Sequence, residues 1–510
     1  MAAPACLSYE AGMAPPLHDI RDPSSGALLG QVPEQSGDEV AAAVARARSA
    51  QPAWAALPFR ERAKALRTLA RAIRDDSELL DTLTRESGKP RYEAELFELL
   101  YTLELTRFYT SGKGRRALAD ELRGSSFLPN KRARVIYHAR GVVGVIGPWN
   151  WPLLNNFADA IAPLLAGNSV LLKPSEWTPL TSLRIVKLWQ ALGLPEGVFQ
   201  VLTGGVETGR TLVQHCDMIF FTGSHRGGSA VAQAAAARMI PSVLELGGKS
   251  AMIVLADADL ERAARAAVWS GFAHSGQVCI RTERVFVEES VADRFIELCT
   301  RETQQLQHGP GADPQVYDVG AMTFPPQMAR AKEQVEDAVA LGARVLSGGA
   351  RVTDKAGNYF QPTLIANASS AMRVMNEETF APVLPIMRVP HVEEALRLTN
   401  ESTLGLSGSI WSRDIPRARA LARRIESGSV CVNDVLFNYL FVDAPLGGVK
   451  ASGLGIRHGG EALRQFCRMQ TIVEDRPLLG FVSNIVARMF GFPYQRKVLE
   501  LVRRVMKVRY

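Results

Sequence analysis

GVVGVIGPWNWPLLNNFADAIAPLLAGNSVLLKP (residues 141–174) sets the architecture. It opens on a short apolar run rich in valine and passes through a helix-length segment. It then returns to a second apolar run, SVLLK. Strands apolar on both faces, with a helix between them, belong to a parallel sheet covered on both sides. The rhythm continues through PLTSLRIVKLWQAL, VFQVL, TGRTLVQHC, MIFFTG, GGSAVAQAAAARM and PSVLELG. A second βα series starts at AMIVL, passes RVFVEES and runs to about Lys450. The expected class is α/β, with two Rossmann-like parallel-sheet domains in series, a nucleotide-binding type of architecture.

At 510 residues the chain exceeds one compact core, and 47% apolar with 22% charged residues is the composition of a folded protein. Residues 38–109 carry helical spacing, with Ala65, Leu66, Leu69 and Ile73 opposite a charged face and Gly88 as a helix stop. The six cysteines are scattered, without paired metal-ligand spacing, so neither a disulfide framework nor a metal site is expected. The first twenty residues lack the basic and apolar regions of a secretory signal, which makes a cytoplasmic setting the expectation.

The net charge of +7 is localised. Residues 476–510 hold eight Lys or Arg against the single acid Glu500, so the remainder is neutral and nucleic acid is not an expected partner. The apolar run at 478–492 is too short to span a bilayer. Beyond it, Val498, Leu501, Val502, Val505 and Met506 lie opposite Arg503, Arg504, Lys507 and Arg509 on a helix. Such a basic amphipathic tail suits either an anionic membrane surface, as a peripheral attachment, or a seat on the protein itself.

Three segments bear reactive side chains. HSGQVCIRTE (274–283) offers the thiol of Cys279, which is either core filler or a nucleophile. GPWNWP (147–152) places the amide of Asn150 just after a strand, where it is a turn hydrogen-bonder or an oxyanion donor. LELGGKS (244–250) ends a strand on Glu245, a surface carboxylate or a buried base of raised pKa. FTGSHRGG (221–228) is a strand, glycine turn and helix start, by itself a weak phosphate-binding signal.

Taken together, GPWNWP, LLKPSEWTP, FTGS, LELGGKS, GQVC, NEETFAP and PLGGVKASGLG follow the order and spacing of the aldehyde dehydrogenase superfamily, which the chain resembles over residues 18–475. VCVND, GGVKASG and ALRQFCRMQTIVEDRP look most like its plant family-22-like branch. The resemblance implies oxidation of an aldehyde to the acid with NAD, NADP being the other candidate. Cys279 would attack the carbonyl, while Asn150 and the Cys279 backbone N–H hold the oxyanion. Glu245 would then activate water against the thioester. Cofactor contacts carry over to Trp149, Lys173, Glu176, Gly223, Ser224, Gly228, Leu246, Glu378 and Phe380. A carboxylate at Glu176 binds ribose hydroxyls and repels a 2′-phosphate, which favours NAD.

The resemblance also implies a dinucleotide-binding domain (18–123 plus 141–246), a catalytic domain (247–450) and an oligomerisation element (124–140 plus 464–475), with 476–510 outside it. The hairpin at KRARVIYHAR and the strand at MQTIVED are expected to pair across subunits of a homodimer or tetramer. Asn155, Ala158, Val278 and Ile280 are expected to line the substrate tunnel, with Leu436, Phe437, Tyr439 and Phe441 on its far wall. That lining suits an apolar aliphatic or aromatic aldehyde, and Arg281 is expected to serve structure. The sequence departs from the family at Ala381, at His225–Arg226 and at Ile456–Arg457, where an Arg–Glu pair is usual, and no contact is carried over from that pair. Two other readings are a CoA-acylating enzyme, against which Glu245 argues, and a non-catalytic membrane-associated scaffold, against which the trio of Cys279, Glu245 and Asn150 argues.

Overall fold

The computed structural model describes residues 16–125, 128, 130–311, 317–476 and 480–509. Two large sheets carry the chain. The first has six strands in the order Gly453–Leu454, Ser242–Glu245, Met218–Thr222, Val142–Ile146, Ser169–Lys173 and Phe199–Val201. All neighbours are parallel except Gly453–Leu454, which runs antiparallel to Ser242–Glu245. The chain order reverses between Val142–Ile146 and Met218–Thr222. Ligands of open α/β sheets bind outside the strand ends at such a point, and Trp149, Asn150, Gly223 and Ser224 leave the sheet there.

The two-residue alternation explains why both faces are covered. Val143 and Val145 enter one core with Leu66 and Ile161, whereas Val142 and Ile146 enter another with Val44 and Leu212. Helices Phe59–Asp75 and Ala158–Leu165 lie on the first face, Gly37–Ala56 and Val206–His215 on the second. The Gly88 stop takes the left-handed conformation (φ +73°), and a Cβ there would meet the Ala321 carbonyl at 2.8 Å.

The second sheet has seven strands, in the order Arg344–Ser347, Thr363–Ala366, Val383–Val389, Arg284–Glu288, Ala251–Val254, Ser407–Trp411 and Ser429–Val432. Only the Arg344–Ser347 strand is antiparallel to its neighbour. Ile253 and Phe286 face one helix layer, and Met252 and Val285 the other.

A third sheet has three antiparallel strands. Cys467–Asp475 pairs with Lys131–Ala139 of the same chain along all nine residues, and Glu121–Gly124 adds on the other side. The hairpin and the late strand pair with each other inside one protomer, and among the described residues the outer edges of Cys467–Asp475 and Glu121–Gly124 carry no further strand. The hairpin also begins at Glu121, and residues 464 and 465 still belong to helix Gly459–Gln465.

The tail forms helices Gly480–Phe490 and Arg496–Arg509. Ser483 fastens the first to the three-stranded sheet, accepting from Asn130 (2.8 Å) and donating to Asp475 (2.6 Å). Among the described residues no helix is long and apolar enough to cross a membrane. Cys6 lies outside the described residues, and the other five cysteines are free thiols.

Candidate active site

Cys279 follows a backbone bent three times into the left-handed region, at His274 (φ 47°), Ser275 (φ 54°) and Gly276 (φ 72°). Gly276 packs so tightly on the Ala381 carbonyl that no Cβ fits, which accounts for the glycine in HSGQVC. The bend is held from outside: Glu93 accepts from the His274 N–H at 2.8 Å, and the Gln277 side chain accepts from Thr323 N–H at 2.9 Å. Cys279 opens onto a chamber that Trp151, Leu154, Trp269, Val278, Ile280 and Phe437 render apolar.

The amide of Asn150 is buried and donates one hydrogen to the Gln277 carbonyl at 2.8 Å, which brings it to the cysteine loop. An amide nitrogen carries two hydrogens, so a second is available to a ligand. The turn around Asn150 is pinned by Lys89, whose ammonium donates to the Asn150 carbonyl at 2.9 Å and forms an ion pair with Glu98. Glu98 in turn accepts from the Leu153 and Leu154 N–H groups (2.8 and 2.9 Å). Both Lys89 and Glu98 are fully buried.

Glu245 ends its strand, and Gly247–Gly248 carry the chain onward between two other site groups. A Cβ on Gly247 would meet the Glu378 carboxylate at 2.5 Å, and one on Gly248 the Cys279 carbonyl at 2.8 Å. The double glycine thus lets LELGGK touch the cysteine loop. Glu245 is buried, and its Oε1 has no hydrogen-bond partner among the described residues. Burial raises its pKa to about 7, with Arg457 opposing and Asp159 adding to the rise. Burial also pushes the Cys279 thiol up to about 12, against the pull of Arg457. Charged forms lose hydration when buried, which is the cause in both cases.

The cofactor candidates cluster at the strand ends. Lys173 closes its strand and lies 3.7 Å from Glu176. Gly223 and Ser224 form the turn into helix His225–Ala237, with Ser224 capping it and His225 and Arg226 exposed in its first turn. A Cβ on Gly223 would meet the Phe221 ring at 2.8 Å, and Leu246 packs directly on Gly228. Trp149 stands edge-on to Phe380, ring centres 5.5 Å apart. Phe380 has a left-handed backbone (φ 51°), and Glu283 accepts from its N–H at 3.1 Å. Glu378 accepts from Gly248 N–H at 2.9 Å, and burial raises its pKa to about 7. An ammonium–carboxylate pair, a helix N-terminus after a glycine turn and an aromatic–carboxylate pair fit the parts of a nicotinamide dinucleotide.

The tunnel expectation needs two corrections. Ala158 is packed in the helix layer, and Phe441 turns outward, 63% exposed. Asn155, Val278, Ile280, Leu436, Phe437 and Tyr439 do line the chamber. Arg281 is fully buried and ion-paired to Glu283 at 2.5 Å, as its structural role requires. Arg457, for which no contact was carried over, reaches into the site. It donates to Asn155 (2.7 Å), Thr222 (2.9 Å) and Asp159 (2.9 Å), and also to Tyr439.

Residues 13–472 match the model of the aldehyde dehydrogenase family. A 4,4'-diapolycopene aldehyde oxidase of Methylomonas sp. is 40% identical over 87% of this chain and 83% of its own length. A putative succinate-semialdehyde dehydrogenase [NADP(+)] 2 of Mycobacterium ulcerans is 35% identical over 97% and 95%. Among solved structures, an NADP-dependent enzyme of E. coli superposes with TM-score 0.86 at 32% identity, over 90% of this chain and 95% of that one. Betaine aldehyde dehydrogenase of Staphylococcus aureus in complex with NAD+ gives 0.84 at 29%, over 90% and 91%. The chain belongs to the aldehyde dehydrogenase family. It is an NAD(P)-dependent oxidoreductase that converts aldehydes.

Proposed function

We propose that this protein oxidises an apolar aldehyde, aliphatic or aromatic, through a thioester on Cys279. The observation that carries the reading is a thiol facing an apolar chamber together with a buried Glu245 carboxylate whose Oε1 has no hydrogen-bond partner among the described residues. The Cys279 sulfur, as the thiolate, attacks the carbonyl carbon, and the new oxyanion takes hydrogen bonds from Asn150 Nδ2 and the Cys279 N–H. Lys173, Glu176, Trp149, Glu378, Phe380 and the Gly223–Gly228 turn against Leu246 would hold a nicotinamide cofactor, which would supply the hydride acceptor. Glu245, poised near neutrality, takes a proton from the water that cleaves the thioester. The Lys173–Glu176 pair supports NAD over NADP, since a second negative charge would face the carboxylate.

The chamber supports an apolar substrate because the cations near it among the described residues are already paired: Arg457 with Asp159, Arg281 with Glu283, and Lys89, over the Trp151 ring, with Glu98. A diapolycopene aldehyde accords with that lining. A carboxylate-bearing substrate such as succinate semialdehyde would lack a counter-charge. The test is an aldehyde series of rising chain length with NAD and NADP. Catalytic efficiency should rise with apolar length, and selectivity for succinate semialdehyde would defeat the reading.

Two surfaces extend the proposal. Met469, Ile472 and Val473 are exposed along the outer edge strand, which fits a second copy of the chain as the partner. A single-chain mass in light scattering would contradict this. Helix Arg496–Arg509 exposes Leu501, Val505 and Met506 beside a basic face, which fits a peripheral contact with anionic lipid. Phosphatidylserine vesicles should sediment the full chain and release one ending at Arg476, and equal sedimentation of both would defeat the idea.

A further inference from the structure

The fold gathers four elements around Arg457: Leu153–Phe157, Ala158–Leu165, Met218–Thr222 and Phe437–Leu440. Its Nη1 donates to the Asn155 side chain at 2.7 Å and to the Tyr439 hydroxyl. Nη2 donates to Asp159 and to Thr222, each at 2.9 Å. Tyr439 closes the triangle by donating to Asn155 at 3.2 Å. Asn155 and Tyr439 are the two polar side chains, besides Cys279, that face the otherwise apolar chamber. Nε of Arg457 is buried with no hydrogen-bond partner among the described residues, so the fork is set by its two outer nitrogens.

We propose that Arg457 is a positioning residue for aldehyde oxidation, its fork fixing Asn155 and Tyr439 in the chamber wall and its charge, balanced by Asp159, setting the field on Glu245 and Cys279. The proposal rests on the nucleophile-and-base reading above. The groups facing one another are few. Glu245 feels Arg457, which favours its ionised form, and Asp159, which opposes it. Cys279 feels Arg457 in one sense and Glu245 and Glu378 in the other. Arg457 contacts Asp159 and Tyr439 directly, and its charge is also felt by Glu245 and Tyr101, with neutral His458 next in the chain. Arg457 and Asp159 therefore act on Glu245 with opposite sign.

Opposite signs supply a test that a purely structural role would not pass. Asp159→Asn keeps the shape and leaves the cation unopposed, so the acid limb of kcat should move to lower pH by roughly one unit. Arg457→Met removes the cation, so the limb should move up by about the same amount, and iodoacetamide should alkylate Cys279 more slowly at a given pH. Arg457→Lys keeps the charge and loses the fork: the limb should stay while KM rises about tenfold. If Arg457→Met does not fold, the Asp159 and Lys variants still decide the matter. Coincident pH profiles for wild type and Asp159→Asn, or an unchanged KM in Arg457→Lys, would overturn the proposal. Dehydrogenase activity in Cys279→Ala would instead defeat the underlying mechanism.

Discussion

Gly248 lies against the carbonyl of Cys279, so close that a Cβ at 248 would fall 2.8 Å from that oxygen and 3.0 Å from the Leu406 side chain on the other side. The strand that delivers Glu245 and the loop that delivers Cys279 are thereby held at backbone contact. Gly248→Ala should displace the cysteine loop by a fraction of an ångström without unfolding the chain. A misplacement of that order costs about 10²-fold in rate. The expected outcome is a large fall in kcat with a melting temperature within a few degrees of wild type; equal losses of both would point to a fold defect instead.

The buried Lys89–Glu98 pair holds the Asn150 turn. Lys89→Met leaves the Glu98 carboxylate buried without its cation, which costs about 3–5 kcal/mol. Lys89→Met combined with Glu98→Gln should recover much of that loss. Thermal denaturation of both variants checks the claim, and a double variant no more stable than the single would contradict it.

Glu245 carries a signature in stability as well as rate. Its folded pKa of about 7 lies above the ordinary 4.5, because burial penalises the anion. The native state thus holds a proton that the unfolded chain has released between pH 4.5 and 7, so the group withdraws stability as pH rises through that window. Glu245→Gln should be roughly 3 kcal/mol more stable than wild type at pH 8, and equal to it near pH 4. Denaturant titrations at the two pH values make the comparison.

Phe437 lines the chamber and packs on Trp269 with ring centres 5.5 Å apart. Phe437→Ala should raise KM for an apolar aldehyde about tenfold, a loss within the range of a trimmed hydrophobic pocket. Acetaldehyde, too short to reach that wall, should be affected far less. Steady-state kinetics on both substrates would show the difference.

Sequence periodicity was enough for the sheets because Val142–Ile146, Ser169–Lys173 and Met218–Thr222 are fully buried runs that no surface element would tolerate. Cys279, Glu245 and Asn150 were visible because each sits in a short motif at a strand end or tight loop. Lys89 and Glu98 were not, since charges in an apparently amphipathic stretch read as a solvent face. Residues Ala94–Leu100 form a π-helical segment, whose spacing departs from 3.6 residues per turn and defeats a periodicity reading. Arg457 was hidden for another reason: its partners Asn155, Asp159 and Thr222 are some 235 to 302 positions away, and only the fold brings them together.

The mechanism turns on a thioester on Cys279 that Glu245 helps to hydrolyse. Glu245→Gln, mixed with NAD and an apolar aldehyde such as hexanal, should be trapped part-way, and intact-protein mass spectrometry reads it directly. A mass gain equal to one acyl group, mapped to Cys279 and absent in Cys279→Ala, is the predicted result. An unmodified protein, or an acyl group on any other residue, would contradict the account.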